Sequence, residues 1–128
     1  MTIERNVYKP NRNIYTQVIK ASGTVQVHVA GIVPWDVEKN LIGAGDMAAQ
    51  VAGILDNIER SLASANATRK DIVRINVYTI DVERYVNQGA PVLVEFFGNS
   101  KPVSTTVEVS RLVHPDWLVE IEATAIID

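Results

Sequence analysis

The feature that most constrains this chain is an alternation that carries acids. Between Leu118 and Ile127, Val119, Ile121, Ala123, Ala125 and Ile127 hold one parity, while Glu120, Glu122 and Thr124 hold the other. Successive side chains of a β-strand point to opposite faces, so this segment reads as a strand with one apolar and one polar side. Three more segments alternate in the same way. Thr24 to Val29 sets Gln26 and His28 on one side, and Ile72 to Ile80 opposes Val73, Ile75 and Val77 to Arg74, Asn76 and Tyr78. Val103 to Val109 groups Ser104, Thr106 and Glu108. A sheet face assembled from these polar sets is too hydrophilic for a dry core. It is either solvated or packed against further subunits through satisfied polar contacts.

The remaining periodicity is helical. Met47, Val51, Ile54, Leu55, Ile58 and Leu62 form one apolar stripe, with Asp46 placed to cap its start. The stripe should fade between Ala63 and Asn66. Asp81 offers a second cap, but Pro91 lies inside the span that would follow, so the second helix is expected to begin near Pro91 and to stop at Gly98. Tyr15 to Lys20 and Thr24 to Val29, joined through Ser22-Gly23, read as a hairpin. Lys9 to Asn13 reads as a turn-rich approach segment, and Gly31 to Gly45 as a loop. The order strand, strand, helix, strand, helix, strand, strand predicts an α+β protein: one mixed sheet with both helices on one face. No linker, repeat or low-complexity tract divides residues 1–128, so a single domain is expected.

Composition excludes several functions. Without cysteine, disulfides, thiolate nucleophiles and thiolate zinc sites cannot form. The two histidines, His28 and His114, lack further ligands at workable spacing, so neither a metal nor another cofactor is expected. Basic residues are scattered in a chain of net charge -3, which argues against nucleic acid as a partner. No stretch approaches the ~20 apolar residues of a membrane span and no apolar signal core follows Met1, so no membrane partner and a cytoplasmic location are expected. Gly43-Ala44-Gly45-Asp46-Met47-Ala48 fits G-x-G-x-x-A before a helix. The fit is rejected, because Asn40-Leu41-Ile42 is too short a preceding strand and Asp46 would set a negative charge where a pyrophosphate binds.

Several segments, in chain order, resemble the Rid (YjgF-like) family of enamine/imine deaminases. Pro102 to Leu112, reading PVSTTVEVSRL, is similar to that family's P-x-R-x-x-V-E-V-x-R-L, and Val119 to Ala123 to its I-E-I-E-A strand. Asp71-Ile72-Val73-Arg74 with Val77-Tyr78 and Asp81 resembles its D-I-V…V-F-x-x-D strand. Ala30-Gly31-Ile32-Val33-Pro34 resembles its S-G-Q-I-P turn, and Tyr15-Thr16-Gln17 its Y-x-Q. The resemblance implies a chorismate-mutase-like α+β fold and a homotrimer whose polar sheet faces turn inward, pairing Arg74, Glu108, Glu120 and Glu122 between subunits. It also implies a small-molecule cleft between each pair of neighbours.

One departure bears on chemistry. Ser104 stands where the family carries an arginine that grips a substrate carboxylate, and no arginine lies between Gly98 and Ser110 to replace it. A hydroxyl has neither the charge nor the planar fork of donors for that task. Gly89 likewise falls near the place of a family asparagine. The expected activity is therefore cofactor-free hydrolytic deamination of a small reactive imine or enamine, pathway-specific rather than amino-acid-derived. The alternative is a trimer that binds a metabolite without transforming it.

On this pattern Glu120 would activate water for attack on a C=N carbon, or else serve as a structural carboxylate in the trimer core. Tyr15 would cover the cleft or donate to a ligand, or pack at an interface. Ser104 and Thr105 would be pocket donors or plain strand hydroxyls, and Gly31 a point of close backbone approach or a turn glycine. Arg111 is expected to tie down a subunit contact rather than touch substrate. Trp35 and Trp117 fall in expected loops, where either would line a cleft or, the safer reading, take part in aromatic packing.

Overall fold

A computed structural model describes residues 1–6, 8 and 14–128; the expected turn at Lys9 to Asn13 lies outside them. Strand β3 (Val25–Ile32), helix α1 (Met47–Ala63), β4 (Ile72–Thr79), β5 (Val103–Glu108) and β6 (Val119–Ile127) follow the expected order. The main sheet runs β3-β6-β4-β5, antiparallel except for the parallel β4–β5 pair.

All six residues of the predicted stripe on α1 are buried, packed over Val29, Ile75, Val77, Ile121, Ala123 and Ala125 of the sheet. Asp46 caps α1 by accepting from the Ala49 N–H at 3.0 Å, which satisfies one of the donors a helix start leaves open. The second helix departs from expectation. It begins directly after Asp81, with a helical turn α2 (Val82–Arg84), a π-helical turn (Tyr85–Gly89) and α3 (Ala90–Phe97) in one run. The Ala90 N–H bonds back to the Tyr85 carbonyl. This wider turn shifts the register so that Pro91 falls in the first turn of α3, where its missing N–H costs little. Gly98 then ends the helix with φ of 54°.

Three further expectations fail. The predicted hairpin does not form: β2 (Val18–Ser22) pairs with β1 (Thr2–Asn6), a strand not foreseen, while β3 pairs with β6. Val73 is not a core residue, because an irregularity between Ile72 and Arg74 puts Ile72 into the core instead. The third correction matters most for function. In the parallel β4–β5 ladder Ser104 pairs with Ile75, Thr106 with Val77 and Glu108 with Thr79. Paired residues share a face, so Ser104, Thr106 and Glu108 point to the helix side at the sheet edge, and the polar face receives Val103, Thr105 and Val107. Consistently, Glu108 accepts from the Val82 N–H at 3.0 Å, at the start of α2. It is not a member of the polar face with Arg74, Glu120 and Glu122.

Gln50 fixes where β6 begins. Fully buried on α1, its amide donates to the carbonyls of Gly43 (3.2 Å) and Asp116 (3.0 Å) and accepts from the Leu118 N–H (2.8 Å). Leucine is of similar size but cannot pair with these three backbone groups, each of which costs about 1–3 kcal/mol when buried unpaired. Gln50→Leu is expected to destabilise the fold by at least ~2 kcal/mol in urea unfolding; an unchanged midpoint would contradict that role.

Candidate functional site

The residues singled out above fall into two groups that one chain holds apart. The first gathers around Glu120. Strand β3 bulges between Val29 and Ile32, which brings the backbone of Gly31 against the Glu120 side chain. A Cβ on residue 31 would stand 2.2 Å from Glu120 Oε2, so only glycine leaves room for this carboxylate. Glu122, the next residue on that face, is held by the Tyr78 hydroxyl (2.7 Å) and the Asn76 amide (3.0 Å), both donating to Oε1. Among the described residues Glu120 has no ion-pair partner. It lines an open hollow of about 630 Å³ with Glu122, Tyr78, Arg111, Leu112 and Val113.

The two glutamates therefore sit in different surroundings. Partial burial, and secondarily the charge of Glu122, push the Glu120 carboxyl above the ordinary glutamate range. The Tyr78 hydroxyl is pushed up chiefly by its hydrogen bond to Glu122. A half-buried carboxylate with a raised pKa and no partner cation has the character of a proton acceptor.

The second group surrounds the start of β5. Thr16 is buried and pinned to this strand's approach, its N–H donating to the Pro102 carbonyl at 3.0 Å and its hydroxyl to the Lys101 carbonyl. This anchors Tyr15 beside β5. Tyr15, Ser104 and Thr105 line one hollow of about 520 Å³, with Arg74, Val103 and the start of β2. Tyr15 and Ser104 also line a second cleft of about 500 Å³, where Thr106 faces Tyr85, Val86, Pro91 and Val94. Those four helical residues were missed in the sequence. Reading Asp81 as the cap of an uninterrupted helix would have placed them opposite β5.

Glu120 and Ser104 are separated by strand β4 and point to opposite faces of the sheet. Two strand spacings alone come to roughly 10 Å. Arg111 borders the Glu120 hollow, and Trp35 and Trp117 pack edge to face at 5.4 Å, as expected of loop aromatics. Among the described residues no group of three acidic or histidine side chains could hold a metal ion, and no helix is long and apolar enough to cross a membrane.

If the Glu122 charge helps to raise the Glu120 pKa, its removal should lower that pKa toward the ordinary value without reaching it, since burial remains. Carboxyl-carbon NMR titration of Glu122→Gln against the parent checks this. An unchanged Glu120 titration would show that the two carboxylates do not interact.

Comparison with known proteins agrees with the fold and the motifs. A family model described as endoribonuclease L-PSP matches residues 8–127. A RutC family protein of Pyrococcus abyssi is 39% identical over 111 residues, covering 87% of this chain and 84% of its own. The 3-aminoacrylate deaminase RutC of Acinetobacter baylyi is 34% identical over 113 residues, covering 87% and 85%. Among solved structures, a Rid family protein of Yersinia pestis superposes with a TM-score of 0.86 at 25% identity, covering 98% of both chains. A member of the YjgF/YER057c/UK114 family from Mycobacterium tuberculosis gives 0.70 at 31% identity, covering 98% of this chain and all of its own. With the family model spanning nearly the whole sequence and the same two helices laid on one mixed sheet, the chain belongs to the Rid (YjgF-like) family.

Proposed function

We propose that this protein is a cofactor-free deaminase that hydrolyses the C–N bond of a small, pathway-specific imine or enamine in clefts formed between the subunits of a homotrimer. The observation that carries the reading is the division of the site. Gly31 and Glu120 meet at one place, while Tyr15, Ser104 and Thr105 meet at another. Because Glu120 and Ser104 lie on opposite faces, one chain cannot bring both to a single ligand, whereas a neighbour's β5 laid beside Glu120 can. A closed cyclic assembly repeats that contact at every interface. It would also cover the polar sheet face, where Arg74 is exposed beside Thr124 and Asn76.

In such a cleft Glu120 takes a proton from water as the oxygen adds to the C=N carbon. It gives that proton to nitrogen, forming a neutral carbinolamine. It then carries the carbinolamine's hydroxyl proton to nitrogen as the C–N bond breaks, so that imine and water yield a carbonyl compound and ammonia. A raised pKa suits a group that must accept a proton and then return it. The deaminase named among the relatives supports the reaction class. The substrate differs from imines of simple amino acids, because Ser104 supplies no charge to hold a carboxylate.

A binding protein without catalysis is the competing reading, favoured by the absence of any arginine at Ser104. The two separate on Glu120→Gln, which keeps shape but cannot accept a proton. In a variant that sedimentation equilibrium shows to be trimeric, turnover is expected to fall by roughly 10²–10⁴. Activity would also fall as pH drops through the raised Glu120 pKa, since the base is then protonated. Full turnover by a trimeric Glu120→Gln, or a monomer mass for the parent at micromolar concentration, would rule the proposal out.

A further inference from the structure

The cleft between β5 and the helical run has a composition that discriminates among ligands. None of the residues lining it is charged, and its walls are mainly aliphatic: Ile14, Val86, Pro91, Leu93 and Val94. Four hydroxyl-bearing residues interrupt this surface: Ser104 and Thr106 on β5, Tyr15 beside it and Tyr85 opposite. Tyr85 is only 3% exposed. Burial alone pushes its pKa up to about 12, with no hydrogen bond contributing, so the phenol is neutral and its donor is not engaged by a described residue. All fully buried side-chain polar atoms among the described residues are satisfied, which leaves the Tyr85 hydroxyl at an accessible surface. Its position is enforced from below, where a Cβ on Gly89 would stand 2.8 Å from the Tyr85 ring and 3.0 Å from Val51.

We infer that this cleft receives the body of the ligand, and that the ligand is a neutral molecule with a branched aliphatic or aryl group and a single polar end. The inference deepens the proposed site and rests on it. A carboxylate drawn into this space would lose its hydration and meet only hydroxyls, an exchange that leaves the charge uncompensated. An apolar group gains by leaving water against the same walls, while an amide, imine or carbonyl end can be met by Ser104, Thr106 and Tyr85. An aliphatic imine without a carboxylate satisfies both demands.

A pair of probes that share one hydrocarbon reads this directly. In titration calorimetry at pH 7, 4-methylpentanamide is expected to bind at least ~10-fold tighter than 4-methylpentanoate, because only the second must bury a charge. Val94→Trp fills the cleft and should abolish amide binding. Ser104→Arg adds a charged fork at its border and should reverse the preference, by about 10-fold or more toward the carboxylate. Equal or tighter binding of the carboxylate by the parent overturns the inference, as does the absence of amide binding or its survival in Val94→Trp. Measuring the turnover of a trimeric Glu120→Gln beside the probe pair separates the two proposals. Full turnover with the amide still preferred sinks the deaminase alone, whereas lost turnover with the carboxylate preferred by the parent sinks this inference alone.

Discussion

The contact between Gly31 and Glu120 is the constraint on which the rest of the site depends. A carboxylate on the open face of a sheet would ordinarily extend into water and titrate normally. Here the bulge in β3 brings a backbone without a side chain against Glu120, and Glu122 beside it adds like charge. The carboxylate is thereby partly desolvated and its pKa raised. Its strand is set in place from the opposite side of the sheet, where Gln50 on α1 holds the backbone of Asp116 and Leu118. A buried amide in the helical layer thus fixes the height of a carboxylate on the polar layer.

The same sheet explains why the residues around Glu120 and those around Ser104 are divided. β6 lies inside the sheet and β5 at its edge, with β4 between them. The parallel ladder turns Ser104 and Thr106 toward the helices, while Glu120 faces away. An edge strand can be approached by another chain, whereas the centre of the polar face can be reached only from above. On the proposed reading, a site that needs both is one that assembly would create. The helical run supplies the apolar wall of the β5 cleft, and its π turn is what allows Tyr85 and Val86 to precede Pro91 in one continuous element.

Much of this was legible in the residues, for identifiable reasons. The stripe from Met47 to Leu62, the Asp46 cap and the alternation in β6 and in β4 from Arg74 onward are strong local signals, and the structure follows them. The family motifs singled out Gly31 and Glu120 separately, and their meeting is seen only in the structure. What failed depended on pairing rather than period. Alternation grouped Ser104, Thr106 and Glu108 correctly but could not say which face they take, since Val103 and Val107 on the other parity are the more apolar set. Only the register against Ile75 and Val77 decides it. The misplaced hairpin has the same origin: strands adjacent in sequence found other partners, and β1 is too short and polar to announce itself. Pro91 was read as a barrier because an α-helix could not pass it in register, and a π turn removes that obstacle.

The central claim is that Glu120 of one chain and Ser104 of another share a ligand. Because the chain has no cysteine, a double variant carrying Ser104→Cys and Glu120→Cys can be treated with a short bifunctional thiol reagent and resolved under denaturing conditions. A site shared between copies yields chains covalently joined as dimers and trimers, since the two positions lie on opposite faces within one chain. Product confined to the monomer mass, from protein that sedimentation shows to be assembled, would contradict it.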